Sequence, residues 1–448
     1  MLAYYLRLAL KSFRRTPGLT ALMVCAISFG IAACIVTLMV RHAMGRNPIW
    51  WRNNVLYAVT MDSWTPQVPY EPNDPNGSPD TLTYRDATYL YGSDIPERKA
   101  LLSYVQGALA EAPGQSAPVW AMTRATTSGF FHMFDVPFEY GGPWSAAADE
   151  GPDPVIVLSR RENDRLFGGR NSVGRTILWN NLRFRIVGVL NHWDPKPRFY
   201  DLTGGGNGDF GRPAPAFVPF KWGATLHLFP NGAVNCWHDP KAAPIVTYRQ
   251  LLGSNCVWIT MWVELPSAAR RARFLDFMNA YWAQQRTMGR FQRPRDNHLW
   301  KVSQWLKLHH IVSNDSRLLV RVAFAFLAVC LINTVGILLA KFLRGAPLTG
   351  VRRALGASRR QIFAQHLVEV ATLALAGSAL GLLLGIGGLA GVRALYAHSY
   401  SAYGTLAHFD VIGVAWALAL AAVSTLVAGL YPAWRIGRLS PARYLKSQ

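Results

Sequence analysis

The chain has 448 residues, room for two or three domains, and combines a formal net charge of +21 with a composition that is 51% hydrophobic. Four runs free of Asp, Glu, Lys and Arg are long enough to cross a bilayer, and much of the basic excess lies beside them. Nucleic-acid binding, the usual partner of so basic a chain, loses its motive once that charge serves membrane topology.

Residues 2 to 15 read as an amphipathic helix, with Leu2, Leu6, Ala9, Leu10 and Phe13 on one side and Arg7, Lys11, Arg14 and Arg15 on the other. Pro17 and Gly18 break the direction before a first span at 19–40. The apolar run is longer than a signal peptide core and no small-x-small cleavage site follows, so a retained anchor is expected. From about Arg41 to Asp315 the composition becomes that of a domain rich in aromatic residues and proline. Residues 65–80, with five prolines, read as a loop or extended arm. Val155 to Leu158 is a buried strand, Arg161 to Phe167 suits a short helix, and Thr176 to Val189 reads as two strands turned at Asn180-Asn181. A further strand at 257–265 precedes a helix opened by Pro266-Ser267, with an apolar stripe of Phe274, Phe277, Met278 and Tyr281. Strands interleaved with helices predict an α+β domain.

Residues 196–256 are rich in Gly and Pro and read as a flexible surface loop. Its run Gly204 to Gly208 has no following Gly-Lys-Ser/Thr, which speaks against phosphate binding. Cys236 and Cys256 fall here, and an oxidising compartment permits a disulfide between them, although the pairing stays open at this stage. Cys25, Cys34 and Cys330 lie in spans and behave as small apolar residues. No cysteine or histidine spacing suggests a metal site, and no carboxylate or histidine pattern suggests catalysis.

Further spans are expected at 322–340, 370–392 and 411–434. Gly377, Gly381 and Gly385, four apart in the third, let another helix approach closely. Glu369 stands at that span's end and is expected to face water or pair with an arginine of the preceding loop. That loop, from Lys341 to His366, carries six basic residues and no acid, as residues 1–17 and the tail after Trp434 carry four each. All three segments are therefore expected on the cytoplasmic side, both termini included, with the large domain outside. If the loop is helical, Arg352-Arg353 and Arg359-Arg360, seven apart, return to one side and offer a face to a partner; a loop that merely obeys the topology rule is the alternative. In the tail, Ser440-Pro441 suits the start of a short helix.

Three stretches carry a likeness to a known family. They are GVRRALGASRRQIFAQHLVEVATL from Gly350, GLYPAWRIGRLSPARYL from Gly429, and SGFFHMFDVPF from Ser128 through LFGGRNSVGRTILWNNLRFRIVGVL ending at Leu190. The chain resembles the MacB-type, FtsX-like permeases of ABC systems. The resemblance implies four transmembrane helices with a large α+β periplasmic domain between the first and second, in a bacterial inner membrane. The expected divisions are an interfacial helix 1–17, first span and stalk 18–44, core domain 45–312, second span 313–343, coupling loop 344–366, third span 367–396, short periplasmic loop 397–410, fourth span 411–434 and tail 435–448. Gly350, Arg352, Arg353, Ala354, Leu355, Gly356, Ala357, Arg359 and Arg360 would form a coupling helix seated on an ATPase.

The chain contains no Walker motif, so the likeness implies that ATP and Mg²⁺ are held by a separate ATPase dimer and that this chain is a transport subunit, not an enzyme. A periplasmic adaptor and an outer-membrane duct would complete an efflux system working by mechanotransmission. Two departures stand out: Leu348-Thr349-Gly350 where the family usually reads Glu-Ile-Gly, and Ser440-Pro441-Ala442-Arg443 where it reads Asp-Pro-x-Glu. The loss of these acids suggests one half of a heterodimer with a second, related permease. The alternatives are an FtsX-like regulator of an envelope enzyme and a lipoprotein-release permease; a large external domain favours the transporter.

Overall fold

The computed structural model describes residues 2–396 apart from 73, 75–76, 112–117, 152, 204–208, 238–243 and 313, together with 419, 423 and 429–434. The fourth span expected at 411–434 thus falls mostly outside the described residues. The loop 397–410, the tail with Ser440-Pro441 and the Gly204 to Gly208 run lie outside them too. The chain divides into two compact units, residues 1–45 with 312–448, and residues 46–311.

The first unit contains α1 (Leu2–Arg15), α2 (Pro17–Gly45), α3 (Asn314–Arg344), α4 (Ala346–Ala354) and α5 (Arg359–Tyr396). Three of these, α2, α3 and α5, are long and apolar enough to cross a bilayer. The expected break falls at Thr16, a bend between α1 and α2, and Pro17 starts α2, a position where its missing N–H costs nothing. The single apolar side expected of α1 is divided. Tyr5, Leu8, Ala9, Ser12 and Phe13 turn toward α5, whereas Leu6 and Leu10 stay exposed, 43% and 51%. With the basic residues these make three faces, the pattern of a helix that packs on a bundle and also lies on an apolar phase.

The second unit is the large α+β domain that follows the first long helix. Its strands are β1 (Leu56–Thr60), β2 (Leu82–Thr83), β3 (Arg98–Ala110), β4 (Val119–Thr126), β5 (Phe138–Gly141), β6 (Val155–Leu158), β7 (Thr176–Trp179), β8 (Leu182–Leu190), β9 (Ala216–Pro219), β10 (Val257–Glu264) and β11 (His298–Lys301). The main path runs β11-β1-β10-β3-β4-β9-β6-β8-β5, with β2 on β10 and β7 bridging β3 and β8. Neighbours are antiparallel except β4 with β9 and β6 with β8. Asn180 and Asn181 take φ of 49° and 64°, the positive pair that a two-residue hairpin turn needs. Ser267 caps the helix Ala268–Thr287, which buries Phe274, Met278 and Tyr281.

Over 196–220 the expected surface loop is instead largely core, whereas the described residues of 221–255 lie mostly at the surface. Phe199, Tyr200 and Phe217 are fully buried, and β9 lies between β4 and β6. Asp201 holds this segment down: its carboxylate meets Arg124 at 2.7 Å, Arg198 at 2.9 Å and the Tyr104 hydroxyl at 2.6 Å. Gly and Pro shape the turns here while the aromatic residues do the packing. Cys236 and Cys256 are bonded, and beside the bond the Asn235 and Val257 backbones exchange hydrogen bonds at 3.1 and 2.9 Å.

His309 closes the domain against Trp305, ring centroids 4.2 Å apart. Burial, helped by neighbouring His310, pushes its pKa down to about 4 from 6.5; Asp80 lies 3.8 Å away, beyond hydrogen-bond reach, and does not offset this. The unfolded chain therefore takes up the proton first as the pH falls. The His309 contribution is whole above pH 6.5 and is lost toward pH 4, on the order of 3 kcal/mol. The urea midpoint of the domain, followed by tryptophan fluorescence, should fall over that window, and the His309→Asn variant should fall measurably less.

Candidate functional site: the helical corner between α3 and α5

The α4 helix opens with Pro347 in its first turn, where no N–H donor is required. It closes where Gly356 takes φ +101°, a conformation glycine adopts without strain. The N–H groups of Leu355, Gly356 and Ala357 return to the carbonyls of Val351, Arg353 and Arg352 at 3.0 to 3.1 Å. Ser358 then starts α5: its hydroxyl accepts from the Gln361 N–H at 3.3 Å, and the Gln361 side chain accepts from the Ser358 N–H at 2.8 Å. Two helices therefore replace the single basic helix considered for this loop. Arg352 and Arg353 end one, Arg359 and Arg360 begin the next, and residues 359–366 belong to the long helix instead of a loop.

This corner is tied to the bundle at several points. Arg352 Nη1 donates to Gln365 Oε1 at 2.9 Å, binding α4 to α5. Below it Met23, Leu338, Phe342, Ile362, Val370 and Leu373 form a buried cluster, with Ala357 packed on its edge. Deeper still, Glu369 Oε1 accepts from Lys341 Nζ and from Ser12 Oγ, both at 2.7 Å, and His366 Nδ1 stands 3.6 Å from Oε2. Lys341 and Glu369 side chains are each only 5% exposed. Glu369 neither faces water nor meets a loop arginine. It lies ten residues into α5, about 15 Å along the helix from its start, where Lys341 of α3 and Ser12 of α1 reach it and the corner arginines do not. The sequence reading missed this pair, for which an acid and a base flanking apolar runs were the available signal.

The outward surface of the corner is apolar at its tip and cationic at its edge. Leu355 is 83% and Val351 46% exposed; Ala354, Gly356, Arg359 and Arg360 are also exposed, Arg352, Arg353 and Ala357 are half-buried, and Gly350 is buried. Such a knob can dock in an apolar groove with an acidic rim and pass force to three helices. It holds no group poised for proton transfer. Among the described residues no group of three or more His, Cys, Asp or Glu is placed to hold a metal ion.

Gly377, Gly381 and Gly385 face α2. A Cβ at these positions would meet the Cγ2 atoms of Ile27, Ile31 and Ile35 at 2.7, 2.9 and 3.0 Å, and the Ser28 hydroxyl donates to the Gly377 carbonyl at 3.0 Å. On its other side α2 presents Gly30 to Leu327 of α3, where a Cβ would stand 2.8 Å from the leucine Cδ1. Close backbone approach on both sides makes α2 the middle helix of this bundle.

The MacB-like periplasmic core domain family matches residues 20–276, more than half of the chain, and the FtsX-like permease C-terminal family matches residues 321–441. The chain belongs to the MacB/FtsX permease family. Relatives of this MacB/FtsX permease include the pyoverdine export ATP-binding/permease protein PvdT of Pseudomonas syringae pv. tomato, 25% identical over 96% of this chain and 57% of its own length. The macrolide export ATP-binding/permease protein MacB of Wolinella succinogenes is 22% identical over 99% of this chain and 60% of its own length. The permease thus spans well under two thirds of these relatives. Among solved structures, the periplasmic region of MacB from Actinobacillus actinomycetemcomitans aligns at 11% identity and a TM-score of 0.34, covering 59% of this chain and 96% of that one.

Two outcomes test the packing. Lys341→Met leaves Glu369 buried without its cation and should destabilise the bundle by about 3 kcal/mol, while the double variant Lys341→Met, Glu369→Leu should recover most of that in denaturant titrations. Gly381→Val should cost about 1 to 3 kcal/mol by overpacking against Ile31, whereas Gly387→Ala, at a position with nothing within 4 Å, should be neutral or slightly stabilising.

Proposed function

We propose that this chain is the permease of a bacterial inner-membrane export system in which ATP hydrolysis on a partner ATPase dimer drives movement of the periplasmic domain. The observation that carries this is the corner: an exposed apolar and cationic knob bound to α1, α3 and α5 by buried contacts, a form suited to receiving force and not to chemistry. ATP and Mg²⁺ belong to the ATPase in this scheme, and both termini and the corner face it from the cytoplasm, in accord with the basic charge of those segments. The names of the relatives, which pair ATP-binding with permease in export proteins, support the same assignment. An adaptor and an outer-membrane duct would carry cargo onward. Cargo is taken up outside the membrane, so the spans transmit motion and form no cargo path. Leu348, where the family carries acid, supports an unequal pair of permeases on one ATPase dimer.

Within the expected contact set Arg352 is engaged with Gln365, whereas Leu355 and Arg359 are exposed, which favours the latter two as the docking residues. Leu355→Asp combined with Arg359→Glu should leave the chain in the membrane and ATP hydrolysis measurable, while export falls at least tenfold. Export at the parent rate in that variant refutes the docking assignment. Purification that yields a single permease species, two copies per ATPase dimer, refutes the unequal pair.

A further inference from the structure

The inner ends of α1, α3, α4 and α5 enclose a cavity of about 330 Å³, at the small end of the range of ligand clefts. Its charge is one-sided. Lys11 and Arg15 come from α1, Arg344 from the end of α3 and Arg352 from α4, and the one carboxylate on the wall, Glu369, is already taken by Lys341 and Ser12. His366 also lines it, 91% buried, with no hydrogen-bond partner for Nε2 among the described residues. A wall of cations with a buried imidazole whose Nε2 has no partner among the described residues is chemically suited to a tetrahedral oxyanion, whose several oxygens satisfy both. Close by, α1 leaves Leu6 and Leu10 exposed, which places the same helix at an apolar boundary.

We infer that this cavity binds a phosphate group, supplied by the headgroup of an acidic phospholipid lying against α1. The docking role proposed for α4 is separate: Val351 and Leu355 point away from the cavity wall, and the cavity keeps its chemistry whatever the corner docks on. A headgroup seated here touches α1, α3 and α4 together and so stabilises the corner only when the surrounding lipid is anionic.

Native mass spectrometry of the full chain, released from micelles containing equal phosphatidylglycerol and phosphatidylcholine, tests this. One phosphatidylglycerol should be retained in clear preference. Lys11→Gln with Arg344→Gln, both exposed positions, should weaken that retention about thirtyfold, each charge contributing about fivefold. Arg317→Gln with Arg321→Gln, on the opposite end of α3, should leave it unchanged. Equal retention of the two lipids, or equal loss in the Arg317 and Arg321 variant, overturns the site. Inorganic phosphate is the second arm: if millimolar phosphate raises the melting temperature of the parent but not of the Lys11 and Arg344 variant, and no lipid is retained, the phosphate site stands and the lipid source is overturned. Absence of both effects in the parent overturns the site outright, independently of how the variants fold.

Discussion

The bundle depends on one buried charge pair. Lys341 and Glu369 are withdrawn from water, a state that costs several kcal/mol per ion unless geometry and further hydrogen bonds compensate. Compensation requires Ser12 on α1, Lys341 on α3 and Glu369 on α5 to meet within 2.7 Å. Three helices from distant parts of the chain are thereby fixed at one point. The nine-residue α4 is too short to be stable alone, and it inherits its order from this base through Arg352 and Gln365.

The glycine contact between α2 and α5 supplies adhesion but leaves register undecided. Gly377, Gly381 and Gly385 repeat every four residues, and so do Ile27, Ile31 and Ile35. Sliding one helix by four residues, about 6 Å, would bring two of the three pairs back into contact. Within lipid, where apolar surface gains little by leaving one apolar neighbour for another, such a slip is cheap as far as packing goes. The Lys341, Glu369 and Ser12 contact exists in one register only, so the ion pair selects what the glycines permit. A buried polar group that fixes register at some cost in stability is a recognised device of helical assemblies.

Length and charge made the spans legible, because a bilayer imposes a fixed length and excludes charge from it, and local pattern likewise exposed Val155 to Leu158, the Asn180-Asn181 turn and the helix after Ser267. What sequence pattern concealed is what distant residues decide. Strand β3 is buried at six consecutive residues, 100–105, and hence on both faces, so no period of two marks it. The segment from 196 looked like a loop because it is rich in Gly and Pro, yet its Asp201 answers to Arg124 on β4 and Tyr104 on β3 as well as to nearby Arg198. At the corner, charge spacing suggested one helix. Gly356 and the Ser358, Gln361 cap, both local signals, in fact divide it in two. Glu369 shows the limit most clearly: its two partners, Lys341 and Ser12, lie 28 and 357 residues before it in the chain.

These constraints restrict how the proposed motion can be produced. A one-turn slip of α5 past α3 would separate Lys341 from Glu369 and leave two charges unpaired in a buried place, a loss of about 3 to 5 kcal/mol before any compensation. Rotation of α1, α2, α3, α4 and α5 together breaks none of the contacts described and needs only a change at the boundary with another copy or a partner. Interfaces of that kind switch between discrete arrangements, while packed interiors resist continuous deformation. In the proposed cycle the corner and its buried pair would therefore act as the rigid end of a lever, with the flexible step between subunits instead of within this bundle.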